Sequence, residues 1–227
     1  MGSIWIWPPR RVRFVALTAI VAAALLLLPL SAGAHELSAP AADSSTTFQL
    51  AANPAFVNCL AQFPNDPTRP PQALAKVTSG SLNDQLTLFV RNIKPGLAFD
   101  LFTVQRSNLL SNGTPDPSFT NFGLAWYQSD VQVNSQGTGQ VTIRTILLNQ
   151  IFGFDPDVGL NPVNTFHVGF WFNNPNDAAP CGFDVTHPTP FNGEHNAGPV
   201  AMISLPNAVT GLGPLCTRPN GSGGCNP

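Results

Sequence analysis

The fold class is decided by residues 85–105, which read QLTLFVRNIKPGLAFDLFTVQ. The first half has a period of two, in which one set of residues alternates with another: Leu86, Leu88 and Val90 against Thr87, Phe89 and Arg91. That period predicts a β-strand with one buried side. Lys94-Pro95-Gly96 predicts a turn with Pro at its second position. Residues 97–105 are then expected to return as the partner strand of a hairpin.

Later segments follow the same design. Residues 123–133 and 140–148 flank NSQGTG, a composition typical of turns, and together predict a second hairpin. Residues 164–173 (NTFHVGFWFN) are the most apolar and aromatic segment, so we expect a central strand there. Shorter strands are expected at residues 46–50 and 199–205.

Helices contribute little to the predicted fold. No segment after residue 34 keeps a helical apolar period over ten residues, and only residues 55–63 suggest a helical turn. Strand-like runs separated by turn clusters predict an all-β class, with roughly seven or eight strands in a Greek-key β-sandwich. We expect an immunoglobulin-like or superoxide dismutase-like sandwich with long loops at residues 72–210. An N-terminal arm and Pro-rich loop (35–71) precedes it, and a Gly-rich tail (211–227) closed by a disulfide follows.

Residues 1–34 have the parts of a secretory signal peptide. Three arginines between residues 10 and 13 give a positive start, residues 14–30 are uncharged and apolar, and residues 32–34 (AGA) supply small side chains for cleavage. Cleavage would release a secreted or cell-envelope protein. The alternative is an uncleaved segment that anchors the chain in a membrane, although the apolar run is at the short end for a spanning helix.

Removal of residues 1–34 changes the net charge. The whole chain has ten Lys and Arg and twelve Asp and Glu. Three of the bases and none of the acids lie in the signal, so the mature chain has a formal charge of −5. Its seven remaining bases form no run. Because phosphate binding needs a concentrated positive patch, we expect no nucleic-acid partner.

The four cysteines predict two disulfides, since an even number in an exported chain indicates bridges. They are Cys59, Cys181, Cys216 and Cys225, and three connectivities are open. We favour Cys216–Cys225 because the Gly-rich segment between them is flexible enough to close. That leaves Cys59–Cys181 to tie the N-terminal arm to the late part of the sheet.

Residues 86–105 resemble the hairpin of superoxide dismutase-like and chordin-type secreted sandwiches. In those families a hydrophobic strand and a G-L-x-P-G-like turn precede a strand with metal-binding histidines. The segment NSQGTGQVTI (134–143) resembles their later turn and strand. Where the dismutase pattern has His-x-His, this chain has Asp100-Leu101-Phe102, so no catalytic residue is carried over. The same features resemble uncharacterised secreted bacterial β-sandwich proteins.

The histidines are the first candidates for a functional site, because copper and zinc favour imidazole ligands. His187, Glu194 and His195 lie in one predicted loop, and His167 lies on the most apolar strand. If His167 faces the same end of the fold, these residues can hold one copper or zinc ion. Their spacing matches no zinc motif. The alternative is that they are polar loop residues and a strand histidine bonded to water or a carbonyl.

Two further metal sites are open to prediction. Cleavage after Ala34 makes His35 the N-terminal residue, whose α-amine and ring nitrogen can bind one copper ion together. Residues 155–159 (DPDVG) carry carboxylates at alternate positions, as at the start of a calcium loop. Against calcium, Asp-Pro is more often plain turn chemistry.

Motifs for catalysis are lacking in the sequence. There is no G-x-S-x-G nucleophile motif, and the cysteines are better used as bridges. Trp126, Tyr127 and Trp171 can be interpreted as a sugar-stacking platform, but aromatic residues in strands more often pack in a core.

We therefore predict a non-enzymatic protein outside the cytoplasm. It would bind an extracellular polymer or a protein surface through its loops. The alternative is a metal-binding sandwich, holding copper or zinc, with an oxidoreductase-like or metal-carrier role.

Overall fold

The computed structural model describes residues 45–80, 83–146, 164–189 and 195–216. Nine strands and one short helix lie in these ranges, and two 3-10 turns follow the seventh strand. Their bounds are β1 Ser45–Ala52, α1 Val57–Leu60, β2 Gln72–Thr78, β3 Asp84–Arg91, β4 Ala98–Val104, β5 Ala125–Gln132, β6 Gly139–Ile146, β7 Thr165–Phe172, 3-10 turns Pro175–Asp177 and Ala179–Cys181, β8 Val200–Ser204 and β9 Leu215–Cys216. The predicted all-β class is confirmed.

The strands form one antiparallel sheet with the order β5-β4-β7-β8-β1-β2-β3-β6, and β9 adds to β7. This sheet curls into a nearly closed barrel, because its two end strands, β5 and β6, lie beside each other. The predicted division into two separate packed sheets is not seen among the described strands. Instead, a short ladder between β1 and β8 joins the two halves of the order.

The predicted hairpin of residues 85–93 with 97–105 is wrong, although its turn is confirmed. Leu97 N–H donates to Lys94 C=O at 3.4 Å, and Gly96 has φ 84°, the positive φ that a type II turn needs at its third residue. The two strands leave this turn in different directions, since β3 pairs with β2 and β6 while β4 pairs with β5 and β7. The turn therefore connects the two halves of the sheet.

The second predicted hairpin has the same outcome. Asn134 holds the expected turn, because its side-chain oxygen accepts hydrogen bonds from the backbone of Gln136 and Thr138. Among the described residues, however, β5 pairs with β4 and β6 pairs with β3. A period of two shows which residues share a side of a strand, but it does not select the partner strand.

The barrel interior is filled by side chains from both halves. Phe99 and Leu101 of β4 meet Phe166 and Phe170 of β7, with the rings of Phe99 and Phe170 4.8 Å apart. All eight residues of β7 are buried. The predicted central strand is thus confirmed. Because β7 is buried on both sides, other residues of the chain must also cover the side that faces away from the barrel interior.

The Cys59–Cys181 disulfide is confirmed. It joins α1, which lies within the predicted helical turn, to the second 3-10 turn after β7. Cys216 is also disulfide-bonded, and the partner predicted for it, Cys225, lies outside the described residues. The predicted signal peptide (1–34) lies outside them too. The sheet extends beyond residues 72–210, since β1 and β9 belong to it.

Candidate functional site

The barrel has two outer faces of different character. The first, here called the covered face, is the outer side of β4, β7 and β8. It carries a second hydrophobic cluster outside the barrel, formed by Val104, Leu109, Trp171, Ala197, Val200 and Ile203. Leu109 comes from the β4–β5 loop and Ala197 from the β7–β8 loop, so the described parts of these two long loops cover this face. Gly169 gives the cluster room, because a Cβ there would lie 3.1 Å from Ile203 Cγ1.

Aromatic rings run across the covered face in one continuous series. Ring centroids lie 5.6 Å apart for Tyr127 and Phe102, 5.2 Å for Phe102 and Trp171, and 5.0 Å for Trp171 and Phe122. Trp171 is only 6% exposed, and Trp126 packs on Phe166 towards the interior. These aromatic residues therefore stabilise the fold and do not form an open sugar-stacking platform.

A buried carboxylate lies at one edge of the covered face. Asp100 is fully buried and lies opposite Trp171 in the β4–β7 register. Asn173 donates from Nδ2 to its Oδ1 at 2.7 Å, and His195 Nε2 lies 3.1 Å from its Oδ2. Both partners belong to the β7–β8 loop. Asp100 thus holds the covering loop against the sheet, a role that its sequence position between apolar residues did not indicate.

His167 lies on the outer side of β7 and is buried. Its Nδ1 is 2.8 Å from the carbonyl oxygen of Ser204. A carbonyl only accepts, so Nδ1 carries the proton and the neutral ring keeps its lone pair on Nε2. Burial lowers the pKa of His167 to about 4 against a smaller opposing effect of the Ser204 carbonyl. The ring is therefore neutral at pH 7.

The three described histidines lie in separate surroundings. His195 contacts Asp100, which is opposite Trp171. Trp171 is four residues along β7 from His167, or ~13 Å at the usual rise per residue. His187 lies in an exposed turn, where its Nδ1 is 2.7 Å from Asp184 Oδ2.

The described members of the predicted copper or zinc site, His167, His187 and His195, are therefore not brought together. Among the described residues, no group of three His, Cys, Asp or Glu side chains could hold a metal ion. Three parts of the predicted sites lie outside the described residues: Glu194, His35 and residues 155–159.

The second outer face, here called the open face, is the outer side of β1, β2, β3 and β6. Two large apolar side chains are exposed on it: Leu74 is 38% exposed and Phe89 is 42% exposed. They lie opposite each other in the β2–β3 register. Their neighbours on the same face are polar. Gln49 of β1 lies opposite Leu74, and Gln140 of β6 lies opposite Phe89.

These residues line a groove with a volume of about 840 Å³. Leu74 and Phe89 are among the residues that line it, and one end is bordered by Pro70, Pro71 and the turn around Asn134. Arg91 lies in the groove and donates from Nε to Gln72 Oε1 at 2.7 Å. The groove therefore combines apolar side chains with amide and guanidinium groups.

The open face is positively charged. The four strands that form it carry three cations, Lys76, Arg91 and Arg144, all exposed. Their single acid, Asp84, is buried. Among the described residues, none of these three cations makes an ion pair. The period of two in the sequence already places Phe89 and Arg91 on one side of β3, but it does not show that this side is the uncovered one.

Comparison with known proteins identifies no relative: no protein-family model, no curated protein and no solved structure matches this chain. The resemblance to secreted sandwiches therefore stays a prediction. None of the helices in the described ranges has the length and hydrophobicity needed to cross a bilayer. The fold and the groove define the class of molecule as an all-β, nearly closed barrel with two large apolar side chains, Leu74 and Phe89, exposed on one sheet face.

Proposed function

We propose that this chain is a secreted or cell-envelope binding module without catalytic activity, and that it holds an extracellular polymer on its open face. The observation that carries the proposal is the exposed Leu74–Phe89 pair in the lining of a groove with polar neighbours. A protein of this size covers large apolar side chains where it can, as it does around Trp171. Concave sites with an apolar floor and a few oriented polar groups are typical ligand sites.

The ligand surface is the sheet and not the loops. The described parts of the two long loops, between β4 and β5 and between β7 and β8, are used to cover the other face. The open face is a strip of four strands that offers backbone rigidity and a row of side chains along each strand. An extended polymer matches such a strip better than a compact ligand does.

Location outside the cytoplasm is supported by two features. Residues 1–34 have the composition of a signal peptide, and the Cys59–Cys181 bridge is of the kind that persists in oxidising compartments. N-terminal sequencing of protein recovered from the medium or envelope tests this directly. A chain that begins at His35 is the expected result, and a chain that keeps Met1 in the cytoplasm would contradict it.

Binding is tested by co-sedimentation of the purified mature protein with the insoluble polysaccharide fraction of its host's envelope. We expect wild type to sediment and the variant Leu74→Ala/Phe89→Ala to stay in solution. Leu110→Ala is the matched control, because Leu110 is 39% exposed but lies in the β4–β5 loop. The proposal is wrong if the double variant sediments as well as wild type.

A further inference from the structure

We infer that the ligand of the open face is an acidic polysaccharide, whose carboxylates meet Lys76, Arg91 and Arg144 while its sugar rings lie on Leu74 and Phe89. This inference rests on the proposed binding function and adds the chemical class of the ligand. Its first support is charge. The mature chain is negative overall, yet the open face has three exposed cations and no exposed acid in its four strands. A polyanion would be repelled elsewhere and attracted here.

The second support is the arrangement of these cations along the strands. Arg91 lies two residues beyond Phe89 on β3, and Lys76 lies opposite Thr87, two residues before it. Thr142 is also level with Thr87, and Arg144 lies two residues further along β6. The cations therefore extend over ~20 Å in the strand direction. A ligand with a charge on repeated units meets them better than a single small anion does.

The third support is the apolar pair between the cations. Leu74 and Phe89 carry no hydrogen-bonding group, so they suit the C–H faces of sugar rings and not a second charged group. Side-chain amides surround the pair, with Gln49 beside Leu74 and Gln140 beside Phe89 in the sheet. Amides both donate and accept, which matches the hydroxyl groups of a sugar.

Arg91 is the cation best prepared for a carboxylate. Gln72 Oε1 accepts from its Nε at 2.7 Å, and this bond fixes the plane of the guanidinium. A planar guanidinium binds a carboxylate through two parallel hydrogen bonds. Lys76 and Arg144 supply charge at the other end of the face.

Affinity electrophoresis with two matched polymers tests the ligand class. Polygalacturonate carries a carboxylate on each sugar, and its fully methyl-esterified form has the same backbone without charge. We expect wild type to bind polygalacturonate at least tenfold more tightly than the ester, with affinity falling as salt rises. Equal binding to both polymers would overturn the acidic class while leaving the open face as a binding surface.

Variants locate the binding on the open face. Lys76→Gln/Arg91→Gln/Arg144→Gln should bind polygalacturonate at least tenfold more weakly, and Phe89→Ala should also bind it more weakly. Arg106→Gln, in the β4–β5 loop, should bind as wild type does. The inference is overturned if the triple variant keeps wild-type affinity, or if double-stranded DNA binds more tightly than polygalacturonate. Binding to neither polymer, together with retained co-sedimentation with envelope material, would remove the ligand class alone.

Discussion

The two outer faces of this barrel are built from the same kind of alternating strand but have opposite relations to water. The covered face carries Trp171, Phe102 and Ile203 and is closed by two long loops. The open face carries Leu74 and Phe89 among amides and cations, and both of these apolar side chains remain exposed. The comparison shows that an apolar residue at an outward position has one of two uses. A covered apolar residue stabilises the fold, and an exposed one is available to a ligand.

Truncation of one aromatic residue on each face tests the difference between the two faces most directly. Trp171→Ala should lower the free energy of unfolding by about 4 kcal/mol, because it leaves a cavity in a closed cluster. Phe89→Ala should lower it by only about 1 kcal/mol, since its ring already has much contact with water. Urea unfolding of both variants measures this. Equal losses of unfolding free energy in the two variants would contradict the contrast between a covered Trp171 and an exposed Phe89.

The Cys59–Cys181 bridge holds the start of the covering β7–β8 loop and closes a long segment, with a sequence separation of 122. Cys59→Ala/Cys181→Ala should cost about 3 kcal/mol in the free energy of unfolding, chiefly by freeing the unfolded chain. Polymer binding by the open face should be unchanged under folding conditions. Loss of binding in a variant that is still folded would show that the two faces are coupled.

His167 makes the covered face sensitive to acid. Burial lowers the pKa of its ring to about 4 from an ordinary value of 6.5, so between these values the unfolded chain binds more protons than the folded one. This stabilising contribution is complete above pH 6.5 and is lost as the pH falls towards 4, by about 3 kcal/mol in all. Urea unfolding at pH 7.5 and pH 4.5 measures the difference.

Two variants test whether His167 causes this pH dependence. His167→Gln should make the stability less dependent on pH between 7.5 and 4.5, because the titrating group is gone. His187→Gln is the control, since its side chain is 84% exposed, and it should keep the wild-type profile. A wild-type profile in His167→Gln would contradict the assignment.

The buried carboxylate gives the smallest of these effects. Asp100→Ala should destabilise the protein by about 2 kcal/mol, because the amide of Asn173 loses its buried acceptor. Asp130 is the cross-strand partner of Asp100 but is exposed, and it accepts a hydrogen bond from the Tyr127 hydroxyl at the surface. Asp130→Ala should change the stability by less than about 0.5 kcal/mol. Thermal unfolding of both variants measures the two losses of stability. A similar loss in each would contradict the role of Asp100 in holding the β7–β8 loop against the sheet.

Much of the fold follows from local pattern, and most of the site does not. Alternation in residues 85–93 predicts β3 and its outward residues, and the Pro95-Gly96 pair predicts the turn that follows. The partner strands were wrong in both hairpins, because several strands in this chain have equivalent patterns. The sequence indicated the histidines as candidates because of their chemistry alone. It did not indicate Asp100, which lies between the apolar residues Phe99 and Leu101.

By itself, the sequence determined the all-β class, the turns and the central place of β7, because each depends on local geometry or on composition. It favoured the Cys59–Cys181 pairing among three connectivities, and the tertiary structure decided it. Only the tertiary structure decided which strands pair, which face the long loops cover, and that Lys76, Arg91 and Arg144 lie on one surface. In the sequence these three cations are scattered and do not indicate a common surface. They share a face because strands distant in the chain become neighbours in the sheet, and no local pattern records that pairing.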